Sequence, residues 1–557
     1  MSDQAECKFA IHIPSNYKTG TPDYHLIKEA IHHPDGTITP NLRFVKDFKR
    51  PFYITKKSKQ THKQKKEWEH MDNVLTSYST QSDLKSAIAK QLDRQWSQNS
   101  LRELCSSPFV YGSDLTSTAI IKYRYQKLNP QLMSKYNITV FDIETDVING
   151  TEQIIAASVA YEDKSFTVAL SSFVRGISSV QERFIACVNN YISEYVSNYV
   201  TPPEFAIAND EVELIRLIFN KVHEWKPDFL AIWNINFDLP RVLTALQNAG
   251  VDPKDILSDP AVPKDLRICK YKQGPLKKIT SSGKVTPISP ADQWHTLTLT
   301  SSFFAIDAMC AYKRIRSGQQ EESSYSLDAI LNKELGIRKL KFKEADEYTG
   351  LRWHQVMQER YKIEYLVYNL FDCISMIHLD NKTKDLSYTL PTYSGISDFY
   401  SFKSQPKRIT DNLEIFCNDR NHVLGTVGPI DDDDEAETLD LKNWILTLPA
   451  YNASLGMACL AEDPTIKTGI RCHAFDSDAV SAYPSCASAA NVSKETTKRE
   501  IVSIGDIPEE VFRAQNLNFL LGHNNDIQYC THMLNFTNPV DLLRKIHGNI
   551  NNGDIAR

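Results

Sequence analysis

The apolar positions of the first hundred residues come in strand-like blocks, Phe9–Ile13 the clearest, separated by turn signals at Thr21-Pro22 and Asp35-Gly36. From Tyr136 the pattern becomes more regular. Asn137–Ile143 (NITVFDI) is a β-branched and aromatic run ending in acids, and Gln153–Tyr161 and Ser165–Leu170 read as two further strands of a meander. Asp210–Glu224 places Val212, Ile215, Leu217, Ile218 and Val222 at helical spacing, and a buried strand follows at Phe229–Trp233. Asp238-Leu-Pro then leads into a helix ending near Gly250, since proline suits a first helical turn. Ser324–Asn332 and Trp353–Ile377 are predicted helices. Strands first and alternating elements later predict an α/β domain around a mixed sheet.

Composition narrows the class. The chain has 557 residues, 41% hydrophobic and 24% charged, which is ordinary globular composition. At ~100–200 residues per domain, that length suggests three to five domains. No run approaches the ~20 consecutive apolar residues of a membrane span, and MSDQAECKF lacks the basic and apolar regions of a signal peptide. Eleven cysteines form no C-x-x-C pair, so neither a zinc ribbon nor a disulfide ladder is expected and a reducing, cytoplasmic location is. The P-loop, nucleophile-elbow and H-E-x-x-H signatures are absent from the sequence.

Lys+Arg number 63 against 69 Asp+Glu, a net charge of −6, which leaves nucleic-acid binding open because binding uses local patches. Lys46–Lys66 carries nine Lys/Arg and one acid, with Phe48, Phe52 and Tyr53 interleaved. It reads equally as a solvated loop or as a phosphate-tracking patch with stacking platforms. Arg267–Lys284 holds six basic residues and no acid, and Asp431–Glu435 (DDDDE) marks an exposed connector.

The strongest chemical signal is spread over three places. Asp142 and Glu144 lie two apart at a strand end and share one face of it. Asp238 follows a buried strand in Asn234-Ile-Asn-Phe-Asp, while Tyr368 and Asp372 lie four apart on a helix and share its face. Four carboxylates from separate elements are the hard oxygen ligands that Mg²⁺ or Mn²⁺ prefers. Two such ions ~4 Å apart activate a water and stabilise the leaving oxygen of a phosphodiester, and a tyrosine hydroxyl nearby can orient that water.

Phe141-Asp142-Ile-Glu144-Thr, Asn234-x-x-Phe-Asp238 and Tyr368-x-x-x-Asp372 resemble the three motifs of the DEDD proofreading 3′→5′ exonucleases, the tyrosine-bearing subclass. The resemblance implies an RNase H-like domain that removes nucleotides from a DNA 3′ end, with Asp142, Glu144, Asp238 and Asp372 as ligands of two metal ions and Tyr368 positioning the water. Further on, Asp478-x-x-Ser481-x-Tyr483-Pro-Ser485 resembles motif A of family B DNA polymerases, and the local wording is most like the replicative polymerases of T-even-type tailed phages. The resemblance makes Asp478 a palm metal ligand, with Asp476 as a competing candidate. It also makes the Ala479 carbonyl a metal ligand, Ser481 and Ala482 holders of the triphosphate, and Tyr483 the residue beneath the incoming sugar. A hairpin near Arg267–Lys284 helps separate the primer end in those polymerases.

A fingers helix of Lys-x-x-x-Asn-Ser-x-Tyr-Gly type and an Asp-Thr-Asp palm turn do not occur in the 79 residues after Asp478. The expected architecture is therefore an α/β multidomain chain. It has an α+β N-terminal domain over 1–107, with 390–445 as its candidate completion. An RNase H-like exonuclease with a mixed β-sheet covers 108–389, and a partial palm covers 446–557. The expected function is the N-terminal part of a split family B polymerase in a bacterial host's cytoplasm, acting on single-stranded and primer-template DNA. A second polypeptide would complete the dNTP site, and a sliding clamp is a candidate partner. A stand-alone exonuclease with a vestigial palm and a non-catalytic nucleic-acid-binding scaffold are the alternatives.

Overall fold

The structure, a computed structural model, describes residues 3–63, 65–95, 99–279 and 283–425, together with strands at Thr497–Ile504, Asp526–His532 and Ile555–Ala556. The chain divides into two compact units, Met1–Pro429 and Ile430–Arg557. In the second unit the Thr497–Ile504 strand is central, antiparallel to both of its neighbours.

The first unit opens with an antiparallel sheet of β1 (Gln4–Ile13), β2 (Tyr24–His32) and β3 (Ile38–Lys46), against which helix α1 (Ser117–Leu128) packs. A second small sheet joins Arg50–Thr55 to Val74–Ser79 and Val110–Tyr111. Here the stacking reading of the basic window fails. Phe52 and Tyr53 are buried, and Phe48 lies between His25 and the Arg124 guanidinium. Burying these rings makes more of the hydrophobic effect than solvent exposure could, so they serve the core.

The central layer is an eight-stranded mixed sheet. Its strands are β4 (Ile138–Thr145), β5 (Ile154–Tyr161), β6 (Lys164–Leu170), β7 (Glu204–Ala208), β8 (Phe229–Ile232), β9 (Cys269–Lys272), β10 (Thr296–Leu299) and β11 (Phe304–Asp307). They lie in the order β7-β6-β5-β4-β8-β11-β10-β9. β4, β5 and β6 form the expected antiparallel meander, and β4, β8 and β11 run parallel. The run IIAASVA in β5 is buried throughout, the signature of a strand covered on both faces.

Helices cover the sheet. α2 (Glu211–Trp225) starts at its Asp210 cap, whose carboxylate accepts from the Glu213 N–H at 2.8 Å, and buries Leu214, Ile215, Ile218 and Val222. α3 spans Ile235–Asn248 and starts five residues before the proline expected at its first position, so Pro240 lies inside the helix. The early start is nonlocal in origin. Asp307, at the end of β11, accepts from the Ile235 N–H at 3.1 Å and satisfies a donor that the Asn234 side chain leaves free. The segment predicted as one helix over Trp353–Ile377 is two, α4 (Gly350–Arg360) and α5 (Lys362–Thr383), broken at Tyr361 with φ −124° and ψ 51°. No glycine or proline marks that break in the sequence. The basic segment after Arg267 contributes β9 and then a hairpin pairing Lys277–Ile279 with Val285–Pro287.

Gly112 shows how tightly the small sheet is closed. Its φ is +67°, its carbonyl accepts from buried Arg50 at 2.5 Å, and a Cβ there would stand 2.8 Å from the Tyr53 ring. Gly112→Ala combines a left-handed backbone penalty of ~1–2 kcal/mol with overpacking of a similar size, so the variant should lose ~2–4 kcal/mol in thermal or denaturant unfolding.

Candidate active site

The site is built where α5 crosses the end of β4. Strand alternation points Phe141 and Ile143 into the core and leaves Asp142 and Glu144, both half-buried, on the face beneath the helix. Along α5, Tyr365, Tyr368, Asn369 and Asp372 follow i, i+3, i+4, i+7 spacing and form one stripe facing that strand. Asn369 donates to Asp142 Oδ2 at 2.6 Å, Tyr365 donates its hydroxyl hydrogen to Glu144 Oε2, and the two tyrosine rings stack at 6.0 Å.

Asp238 arrives from the other side, in the first turn of α3. It is buried, and its Oδ1 accepts from the Ile143 N–H at 3.3 Å, between the two β4 acids. Arg241, one turn on, lies over the Phe237 ring and reaches Glu152 at 2.9 Å, and its charge favours the ionised form of Asp238. All four sequence-predicted carboxylates and Tyr368 are thus brought together on three elements. Asp478, Ala479, Ser481, Ala482 and Tyr483 lie outside the described residues.

Lys339 was not anticipated from sequence. Its Nζ donates to Asp372 Oδ2 at 2.5 Å and to the Tyr368 hydroxyl at 3.1 Å. It follows the helix Leu327–Leu335, which ends at Gly336 in left-handed conformation, and Asp328 holds the segment by accepting from the Lys339 N–H at 3.0 Å and from Arg338 at 2.9 Å. Two further residues brace the site. Buried Gln358 donates to the Thr145 carbonyl at 2.8 Å and accepts from the Val147 N–H at 3.1 Å, fixing the end of β4. His354 Nδ1 lies 2.8 Å from the Tyr365 hydroxyl.

Electrostatics define what this arrangement holds. Asp142, Glu144 and Asp372 share the charge of Lys339, while Asp238 has that of Arg241. Burial, then Asp372, pushes Asp142 up to about 7; burial, then Asp142, raises Glu144 and Asp238 far above the carboxyl range. Asp372 is raised by burial and partly restored by Lys339. Tyr368 is raised above its usual range by burial and by Asp372, so its hydroxyl stays protonated. Uncompensated buried carboxylates are costly, and divalent cations among them remove that cost. Buried Asp372 Oδ1 has no protein partner, so it is available to a cation. Among the described residues these acids do not offer three oxygens within 4.8 Å of one another, a separation in keeping with their mutual repulsion. Oxygen-only donors from separate elements fit Mg²⁺ or Mn²⁺.

Residues 113–330 match the family model described as DNA polymerase family B, exonuclease domain. The matched stretch contains Asp142, Glu144 and Asp238, while Lys339, Tyr368 and Asp372 follow it. No curated protein matches the chain. The match, over less than half of the chain, supports an exonuclease domain of the family B DNA polymerase type. No helix among the described residues is long and apolar enough to cross a membrane.

These raised carboxylates have a consequence for stability. The folded chain keeps their protons to higher pH than the unfolded chain does, so without divalent cations stability falls as pH rises from ~4 through about 7. In EDTA at pH 8, Asp142→Asn should unfold later than the wild type, by on the order of 1–2 kcal/mol, and the difference should vanish near pH 4. Melting curves across that range check it.

Proposed function

We propose that this chain carries a two-metal proofreading exonuclease that hydrolyses DNA from the 3′ end, within a family B replicative polymerase of the T-even-type phage pattern. The observation that carries the reading is the convergence of Asp142, Glu144, Asp238 and Asp372, with Asp372 Oδ1 unpartnered, in a chain whose residues 113–330 match that exonuclease family. The meander β4-β5-β6 continuing into parallel β8 and β11 supports an RNase H-like domain over 108–389.

Asp142, Glu144, Asp238 and Asp372 would hold two Mg²⁺ or Mn²⁺ ions, which when bound would supply water activation and charge stabilisation at the leaving 3′ oxygen. The remaining work belongs to side chains. Tyr368, kept protonated, orients the attacking water by hydrogen bonding and does not act as a base. Lys339 opposes the upward push of burial on Asp372, favouring its ionised form, and ties Tyr368 to it. Tyr365 and Asn369 fix the carboxylate rotamers of Glu144 and Asp142. The Lys277–Pro287 hairpin, with exposed Ile279 and Val285 beside its lysines, meets the splayed primer end.

Motif A adds a palm to the proposal, with Asp478 as metal ligand, Ala479, Ser481, Ala482 and Tyr483 at the dNTP, an N-terminal domain over 1–107 and palm residues over 446–557. Fingers, the second palm carboxylate and thumb come from sequence outside these 557 residues. The setting is the host cytoplasm, with a sliding clamp as a further partner.

The test is digestion of a 5′-labelled single-stranded oligonucleotide with Mg²⁺. The wild type should give a 3′ ladder, Asp142→Ala/Glu144→Ala should abolish it by at least ~10³-fold, and Tyr368→Phe should slow it by about 10²-fold. Absence of degradation by the wild type would leave a scaffold role instead.

A further inference from the structure

Outside the acidic site, two histidines face each other across the first hairpin. His12 and His25 are directly paired in the β1–β2 ladder, so their side chains stand on one face of the sheet, and their rings are 5.0 Å apart. Asp23, two residues before His25, turns its carboxylate to both. His12 Nε2 is 2.8 Å from Asp23 Oδ2, and His25 Nδ1 is 3.7 Å from Asp23 Oδ1. One donor atom from each of the three residues lies within 4.8 Å of the others, and among the described residues no other set of three does so.

Hydrogen bonding explains only half of this cluster. Asp23 Oδ2 is satisfied, taking the Ser82 N–H at 3.1 Å and the Ser82 hydroxyl at 2.6 Å besides His12. The outer nitrogen of His25, Nε2, is engaged by the Ser117 hydroxyl at 2.7 Å, at the start of α1. The two inner atoms, Asp23 Oδ1 and His25 Nδ1, have no partner, although Asp23 is 2% exposed and His25 0%. At 3.7 Å they are too far apart to hydrogen-bond each other. Two buried, unpartnered atoms with lone-pair capacity 3.7 Å apart leave a place for something positive to bridge them.

We propose that His12, Asp23 and His25 form a transition-metal site that takes Zn²⁺, closing the β1–β2 hairpin against the Ser82 loop and the start of α1. Two imidazoles and one carboxylate are a zinc donor set and a poor one for Mg²⁺, so this site and the acidic site select different ions. Drawing the three donors to ~2.0–2.2 Å from an ion takes side-chain adjustments of ~1 Å. Ser117 on His25 and Ser82 on Asp23 are the outer hydrogen bonds that orient metal ligands. His12, 22% exposed, leaves the fourth position and the route of access on the solvent side. The site is independent of the exonuclease reading.

The experiment uses the full chain with Asp142→Ala/Asp372→Ala, so that the acidic site does not compete, in excess Mg²⁺. Titration with Co²⁺ should show one saturable ion per chain with the intense visible absorption of a four-coordinate N/O site, displaced by Zn²⁺. Adding His12→Ala, at a partly exposed position, should leave the circular dichroism unchanged and weaken that binding by at least ~100-fold. Zn²⁺ should raise the melting temperature of the parent and not of the His12→Ala chain. Absence of a saturable ion, or binding that survives His12→Ala unchanged, overturns the proposal.

Discussion

The packing of α5 across β4 and β5 sets the environment of every acid in the site. It depends on the alternation that buries Phe141 and Ile143 while turning Asp142 and Glu144 upward, and on a helix buried along most of its length. Cys373 reaches the Ser158 carbonyl on β5, Asn369 reaches Asp142 and Tyr365 reaches Glu144, so one stripe of the helix is read out against two strands. Hydrophobic burial on the remaining faces of α5 offsets the cost of crowding carboxylates beneath it.

Around that contact the site is a balance of charge. Lys339 is the only cation hydrogen-bonded to the acids among the described residues, and it is committed to Asp372 and Tyr368. Asp142, Glu144 and Asp238 therefore compete for protons, which is the same property that makes them ligands for divalent ions. Asp307 does supporting work two strands away in the same sheet. Buried and pushed up to about 6, it bonds the first N–H of α3 and the Cys310 N–H, thereby holding Asp238 in place from a strand that carries none of the chemistry.

The sequence made the acids legible because their spacing follows regular periods, two along a strand and four along a helix. The same arithmetic extended by one turn picks out Tyr365 and Asn369, which share the stripe of Tyr368 and Asp372. Lys339 has no such signal. It sits in an irregular segment whose path is set by Gly336 and Asp328, so only the folded chain brings it to Asp372. The start of α3 was misplaced for a related reason, since its capping partner is 72 residues away at Asp307. Phe52 and Tyr53 looked like stacking platforms because basic composition masked a short buried strand. The palm motif at Asp478 falls outside the described residues, so its reading stands on sequence alone.

Anomalous diffraction from crystals of the chain grown with Mn²⁺ and a short single-stranded oligonucleotide tests the central claim most directly. The account predicts manganese peaks among Asp142, Glu144, Asp238 and Asp372, with the DNA 3′ end beside them and within reach of Tyr368. Manganese bound elsewhere and absent from these four carboxylates, or DNA bound with its 3′ end away from α5, would contradict it.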